Sequence, residues 1–427
     1  MKISTFIIII IQLLTVSCSL SPERSTRQIL RQPAEFESQQ AIWVIWPPAD
    51  HKRGESVQEV TISIIDALID DLNVIVTCAT EKLHGQATQV LNARFPEAQN
   101  LTIWKVPSVE IWTRDMGPVF VETSDGKQAV ADFNFDAWGY SDTLDADTKT
   151  EEMYDVRVAK LLRLPVVSSP MISEGGNREV NGKGTLMVTA SVEEGRNPGM
   201  SRAAMEKEYQ RLLGVRKTIW LKQGLQEDDH TFLGPLETSE GVKAYTVVTT
   251  NGHIDEFARF VNDSTVLLAA VDSSDLDDPI AMENHRRMEE NYQILQRATD
   301  QDGRSLHIVR MPLPKTMLTT MAPGDPVYEY IKTLDYKDGS TFPEGDTITV
   351  VAAGSYLNFL ITDSVVIGQK YWRDGLSEEI KFRDKKAAAI LRSVFPHRKV
   401  ILLDAMAVNL GGGGIHCITM QQPALSD

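Results

Sequence analysis

Short β-type apolar runs alternate with helical patterns along almost the whole chain, and this alternation constrains the fold more than any other feature. The β-type runs are Ala41–Trp46, Val74–Cys78, Leu101–Val106, Val119–Val121, Thr185–Thr189, Val215–Leu221, Ala244–Thr249, Phe257–Val261, Thr265–Ala270, Thr347–Ala352, Val365–Ile367 and Val400–Leu403. Helical patterns fall between several of them, at Val57–Leu72, Gln86–Phe95, Glu151–Leu162, Arg202–Leu213, Met282–Thr299 and Ser377–Val394. Strands interleaved with helices through the chain specify an α/β class. Gly214 and the pair Phe395-Pro396 stop two of the helices. No Pro/Gly/Ser-rich linker follows Gln32, so residues 32–427 read as one domain, and no repeat of clear sequence identity is visible. Met311–Asp346 holds several prolines and glycines without periodicity; it reads as a lid, a specificity loop or an ordinary surface excursion.

The charge balance narrows the partners. Among 427 residues, 43 basic side chains against 59 acidic ones leave a net charge of −16, which repels phosphate backbones and argues against nucleic acid. An acidic surface attracts cationic small molecules, though it also serves solubility alone.

The N-terminus reads as an export signal. Lys2 precedes an apolar run from Ile3 to Leu14, too short for a membrane span and followed by Leu14-Thr15-Val16-Ser17-Cys18. A small residue before Cys18 resembles a lipobox, although Thr15 stands where Leu is usual. The expectation is a signal peptide over 1–18, lipidation at Cys18, a polar tether over 19–31, and a protein exported and anchored to a bacterial membrane; simple cleavage of the signal is the alternative.

With 3 cysteines in total, no disulfide framework is possible. Cys78 lies in the run Val74–Cys78 and reads as core. Cys417 follows four glycines in Leu410-Gly411-Gly412-Gly413-Gly414-Ile415-His416-Cys417. Without Cβ atoms the backbone can approach a ligand closely, which suits a nucleophile at the bottom of a pocket; a flexible turn before a C-terminal strand would look the same. His416, read as a strand neighbour of Cys417, would point to the opposite face and serve packing or support.

Three further segments carry candidate chemistry. In Asn251-Gly252-His253-Ile254-Asp255-Glu256, read as extended, His253 and Asp255 would share a face as proton carrier and anchor. Ile111-Trp112-Thr113-Arg114-Asp115 offers an indole and a carboxylate for a cation. Ser173-Glu174-Gly175-Gly176 sets a carboxylate beside bare backbone. Each could be a structural turn. Together they suit a guanidinium: a planar cation whose N–H forks match carboxylates, attacked at carbon by a thiolate.

In order along the chain, Pro33-Ala34-Glu35-Phe36-Glu37, Trp43, Trp46-Pro47, Trp112-Thr113-Arg114-Asp115, Phe133-Asn134-Phe135-Asp136-Ala137-Trp138-Gly139, Glu174-Gly175-Gly176, Asn251-Gly252-His253, Ser355-Tyr356-Leu357-Asn358-Phe359 and the glycine run to Cys417 resemble the agmatine deiminase and bacterial peptidylarginine deiminase family. The resemblance implies a five-bladed α/β-propeller of pentein type, with ββαβ units around a central pocket. It implies Cys417 as nucleophile, His253 as general acid/base, Asp115, Asp255 and Glu174 as guanidinium-holding carboxylates, and Trp112 as pocket wall. Asn358 and Gly414 are carried as substrate-binding candidates, and no metal or organic cofactor is expected. Gly414 departs from the family, which usually has Asn there, and export departs from its usually cytoplasmic members.

The expected reaction is hydrolysis of a guanidino group through a thiouronium on Cys417, with agmatine as first substrate and N-carbamoylputrescine and ammonia as products. No Arg lies between Arg114 and Arg157, and Asp132, Asp136, Asp142, Asp145, Asp147, Glu151 and Glu152 suggest an acidic rim for a substrate cationic at both ends. The alternatives are conversion of peptidyl arginine to citrulline, amidino transfer to an amine, and a lipoprotein that only binds guanidino compounds.

Overall fold

The computed structural model describes residues 28–425, so Cys18 and the export signal lie outside the described residues. Among the described residues the strands form six small sheets, and five of them repeat one plan: an antiparallel pair, one or two helices, then a parallel strand beside the second member of the pair. The first unit is completed by the C-terminus: Met420–Pro423 runs antiparallel to Gln39–Ile45, which pairs in parallel with Asn73–Cys78 and through it with Leu101–Lys105. The second unit pairs Val119–Thr123, Gln128–Asn134 and Val166–Ile172. The third uses Glu179–Val180, Thr185–Thr189 and Lys217–Leu221. The fourth uses Ala258–Phe260, Thr265–Ala270 and His307–Pro312, and the fifth Leu360–Ile361, Val365–Lys370 and Lys399–Asp404.

The crossover helices form where the apolar spacing dictates. Helix Val57–Leu68 buries Val57, Val60, Ile64, Ile65 and Leu68 on one face, and Ser56 caps it by accepting from the amide of Glu59. Helix Arg202–Leu213 is capped by Ser201 and stopped by Gly214 at φ +64, where a Cβ would collide with the carbonyl of Leu30. That contact corrects the reading of 19–31 as tether throughout. Ile29–Arg31 is a strand on Val119–Thr123, the Gln32 amide donates to Leu213, and Arg31 forms ion pairs with Glu37 and Glu122.

Two other expectations are corrected. The strand expected over Ala244–Thr249 is Lys243–Thr246 and belongs to the sixth sheet, with Leu236–Glu237, Ile348–Val351 and Leu318–Met321. The segment 311–346 is not an irregular excursion: it contributes strand Leu318–Met321 and helix Pro326–Ile331. Its Met321, Val327, Tyr328 and Ile331 bury against Tyr245, Val247 and Val350 in a small core of their own. The periodicity was too short to show in sequence because each element is at most six residues long.

The site is positioned by the repeat. Asp115 precedes the first strand of the second unit, Glu174 that of the third, Asp255 that of the fourth, Asn358 that of the fifth and Cys417 that of the first. The five leading turns converge, so residues far apart in sequence meet at the centre of the molecule.

Candidate active site

Cys417 is 5% exposed and lies in a turn ahead of Met420–Pro423, not on a strand. Its sulfur has Asn358 Nδ2 at 3.0 Å, Asp255 Oδ2 at 3.6 Å and Glu256 Oε1 at 3.8 Å. Burial pushes the thiol well above its usual range, and Asp255, Glu256 and Asp115 push the same way. Both effects favour the thiol form of Cys417, and a cation entering beside it would favour the thiolate. Cys78 is buried core, as expected, with a thiol that burial pushes up to about 12.

His253 is sandwiched between carboxylates, with Nδ1 at 3.6 Å from Asp115 and Nε2 at 3.6 Å from Glu174. Neither ring nitrogen has a hydrogen-bond partner among the described residues. Burial alone would lower its pKa; Asp115, Glu174 and Asp255 outweigh that and raise it to about 9. Its backbone amide is fixed by Asp228 Oδ2 at 2.9 Å. The extended reading of 251–256 is corrected: residues Ile254–Glu256 form a 3₁₀ turn. His253 and Asp255 still share the site, because Asn251 and Gly252 take positive φ and turn the chain ahead of them.

Asp115 Oδ1 accepts from the Gly176 amide at 2.9 Å and Oδ2 from Trp138 Nε1 at 2.8 Å. Burial and the neighbouring Asp255 and Glu174 raise Asp115, against the pull of His253 and Trp138. Glu174, fully buried, receives Arg196 Nε at 2.6 Å. Burial opposes its ionisation, but Arg196 and His253 hold it well below the usual carboxylate range. Glu174 Oε2 and Asp255 Oδ1 have no hydrogen-bond partner among the described residues, so each keeps an acceptor in hand.

Trp112 is held face-on by His51, with ring centroids 5.6 Å apart and planes 3° off parallel, and edge-on by Trp138 at 6.5 Å. Trp112 and Trp138, with Asp115, Thr249, Gly412 and Cys417, line a narrow cavity of about 20 Å³. Trp138, whose φ of +55 turns it into this wall, stands in the Phe133–Gly139 motif but was not singled out from sequence.

His416 supports the site, as the sequence reading had it, but for a different reason. It does not face away from Cys417: its Nδ1 is 2.7 Å from the same Asp255 oxygen that the sulfur approaches, and its Nε2 is 2.7 Å from Glu35. Glu35 also receives Arg259 at 2.8 Å and has Arg114 at 3.6 Å. Against burial, Arg259, His416 and Arg114 hold Glu35 well below the usual carboxylate range. Glu35, Arg196, Asp228 and Glu256 are site residues that the sequence reading did not assign. Glu35 stood in a quoted motif; Arg196 and Asp228 carried no local signal.

Asn358 touches the nucleophile rather than the cavity, and its Oδ1 accepts from the His416 amide at 2.9 Å. Gly414 likewise is not a cavity residue. A Cβ there would lie 2.5 Å from Asn358 Oδ1 and 2.5 Å from Gln369 Nε2, so the space of a side chain is filled by the site's own amides. The acidic rim is largely structural: Asp142 and Asp145 cap local turns, and Glu151 accepts from the amides of Val109 and Glu110. Asp136 alone of that set reaches Arg196, at 3.6 Å.

Among the described residues, Asp255, Glu256 and Cys417 offer ligand-type atoms within 4.8 Å of one another. Those atoms are already engaged by His416 and Asn358. The set reads as a shared hydrogen-bond cluster around a thiol.

A buried thiol, an imidazole between two carboxylates and buried acceptors without hydrogen-bond partners suit a hydrolase of C–N bonds in linear amidines. The chain belongs to the family described as Porphyromonas-type peptidyl-arginine deiminase, which it matches over residues 31–233 and 237–423. It is 31% identical over 400 residues to an agmatine deiminase of Pseudomonas aeruginosa, covering 92% of this chain and 95% of the relative. It is 30% identical to an agmatine deiminase of Medicago truncatula, covering 92% and 96%. The structure of Enterococcus faecalis agmatine deiminase superposes with a TM-score of 0.70 at 26% identity, over 92% of this chain and 95% of that one. The five repeated units are thus the blades of the pentein-type α/β fold.

Replacing Gly414 by Ala should displace the Asn358 and Gln369 amides and with them the N–H that faces the sulfur. Turnover is expected to fall at least about tenfold, the loss of one hydrogen bond to a charged group, with KM within about threefold. Steady-state kinetics beside a melting curve checks this; unchanged turnover would mean that the amides yield without cost.

Proposed function

We propose that this protein hydrolyses agmatine to N-carbamoylputrescine and ammonia. The observation that carries the reading is the cluster of buried His253, Glu174 and Asp255: His253 lies 3.6 Å from Glu174, Asp255 lies 3.6 Å from the Cys417 sulfur, and each of the three keeps a side-chain polar atom with no hydrogen-bond partner among the described residues. Buried acceptors that lack a hydrogen bond suit a ligand that brings its own N–H donors. A guanidinium does so. Its N–H groups meet Asp255 and Glu174, its flat face lies against Trp112, and its carbon comes to the sulfur.

The steps balance without a further reagent. As the cation binds, the Cys417 thiol gives its proton to water, which carries it to solvent, and the thiolate adds to the guanidinium carbon. The imidazolium of His253 gives a proton to the departing nitrogen, releasing ammonia and leaving a thiouronium on Cys417. Water enters, His253 takes its proton, and collapse of the adduct frees the ureido product and the thiol.

Agmatine is placed first because the curated relatives named above act on it and because the slot is narrow. The family description favours a second substrate, peptidyl arginine. Agmatine, free arginine and a peptide ending in arginine, each assayed for ammonia and ureido product, separate the two. Agmatine is expected to give the highest kcat/KM, and Cys417→Ser should lose activity on all three. Preference for the peptide would transfer the assignment to the second reading; ammonia release by the Ser variant would remove the cysteine mechanism.

The acid role of His253 gives a pH signature. Its raised pKa means the proton is present below about 9 and is lost as pH rises through that value. The alkaline limb of kcat/KM should lie near pH 9 and move to lower pH in Asp115→Asn, which removes the largest cause that raises it. A limb that stays in place in the variant would assign it to another group.

Export through a lipidated Cys18 is part of the same proposal and rests on the N-terminal sequence pattern. Fractionation of a bacterial host should find the wild-type chain with membranes, and Cys18→Ala should release it or block processing. A soluble cytoplasmic chain that still begins at Met1 would exclude both.

A further inference from the structure

Glu256 differs from Glu35, Glu174, Asp255 and Asp115 in the site. Glu35 is paired with Arg259 and His416, Glu174 with Arg196 and His253, Asp255 with His416, and Asp115 lies beside His253. Glu256, 6% exposed, forms no ion pair among the described residues, and the charged groups that face it are Asp255, Asp228 and Glu227, with the Tyr371 hydroxyl behind. What it does have is a hydrogen bond from Asn358 Nδ2 at 2.8 Å, to the same Oε1 atom that lies 3.8 Å from the Cys417 sulfur.

The Asn358 amide nitrogen carries two hydrogens and has two neighbours, Glu256 Oε1 and the sulfur at 3.0 Å. Its oxygen is taken by the backbone amides of His416 and Cys417 at 2.9 and 3.4 Å. All of its polar capacity on the nitrogen side is therefore used once Glu256 takes one hydrogen, and the other is directed at the sulfur. We propose that Glu256 is a positioning residue of the cysteine reaction: it orients the Asn358 side chain so that an N–H points at the Cys417 sulfur and stabilises the attacking thiolate. The backbone supports this geometry, because the Glu256 carbonyl accepts from Ser355 Oγ at 2.5 Å and so ties its turn to the turn that carries Asn358.

Burial, Asp255, Asp228 and Glu227 all favour the neutral carboxyl of Glu256. A neutral carboxyl still accepts from Asn358, yet it adds no second full negative charge beside the sulfur, where charge would oppose ionisation. The same acid in ionised form would instead be one more anchor for the substrate cation, and the two roles give different results.

The inference rests on the cysteine reading above and is tested separately from it. The full-length chain is prepared as wild type, Glu256→Gln, Glu256→Ala and Asn358→Ala. For each, kcat and KM on agmatine are measured, together with the pH dependence of Cys417 alkylation by iodoacetamide. Glu256→Ala should lower kcat at least tenfold with KM within threefold, and shift the alkylation midpoint upward by about one to two pH units, the value of one hydrogen bond to a charged group. Asn358→Ala should shift the midpoint likewise. Glu256→Gln, which keeps a carbonyl acceptor and cannot ionise, should restore both kcat and the midpoint to within about threefold and half a unit of wild type. If Glu256→Gln instead raises KM as strongly as Glu256→Ala, the acid binds the cation through its charge and the proposal is wrong. If the alkylation profile is unmoved in Asn358→Ala, or in a folded Glu256→Ala of lower melting temperature, the thiol needs no such N–H and the proposal is equally wrong. Should Glu256→Ala not fold, the Gln and Asn358 variants alone decide. Iodoacetamide reads the thiol without turnover, so a failure of the deiminase reading would not be mistaken for a failure of this one.

Discussion

An imidazole held at 2.7 Å between two buried carboxylates is the contact on which the site depends. His416 joins Glu35, from the N-terminal segment, to Asp255, from the lead of the fourth unit, and it adjoins the nucleophile in sequence. Arg259 and Arg114 complete the cluster around Glu35. Removing one member of such a buried group leaves a charge without a partner, at a cost of about 3–5 kcal/mol. The cluster therefore holds the leading turns together only as a set. It also keeps one oxygen of Asp255 engaged, while the other has no hydrogen-bond partner among the described residues.

The remaining charges follow from this arrangement. Glu174 is ionised because Arg196 compensates it, and Arg196 is held in turn by the Thr250 carbonyl and by Trp138's neighbour His230. His253 is protonated because it has a carboxylate on either side. Burial first, and then Asp255, Glu256 and Asp115, push the Cys417 thiol well above its usual range. In the reaction proposed above, a bound guanidinium would supply the positive charge that favours the thiolate.

The motifs legible in sequence were those whose residue types are individually unusual. Four consecutive glycines before a cysteine, Trp-Thr-Arg-Asp and Glu-Gly-Gly each identify a site turn, and Cys417, His253, Asp115, Asp255, Glu174 and Trp112 do meet. Local geometry was less legible. His253 and Asp255 were placed on an extended stretch and His416 on a strand, since turn and strand share a composition of small and β-branched residues there; both lie in turns whose shape is set by contacts from other units. Their places in the Ser355–Phe359 motif and the glycine run make Asn358 and Gly414 look like substrate contacts in sequence. Packing puts them behind the sulfur, where they form part of its support.

The sequence by itself determined the α/β class, the helices with a clear apolar face, and the identities of the reactive groups, because those depend on side-chain chemistry and on periodicities read within a few turns. It did not determine the repeat. The five units share hydrogen-bonding topology without visible sequence identity, so only the folded chain shows that five leading turns meet on one centre. Tertiary structure alone decided that Ile29–Arg31 belongs to the body of the protein and that 311–346 packs as a core. It also decided that Glu256, an unremarked neighbour of Asp255, lies against the nucleophile's amide partner. Each depends on atoms brought together from distant positions: Glu256 and Asn358 stand 102 residues apart, and their contact is 2.8 Å.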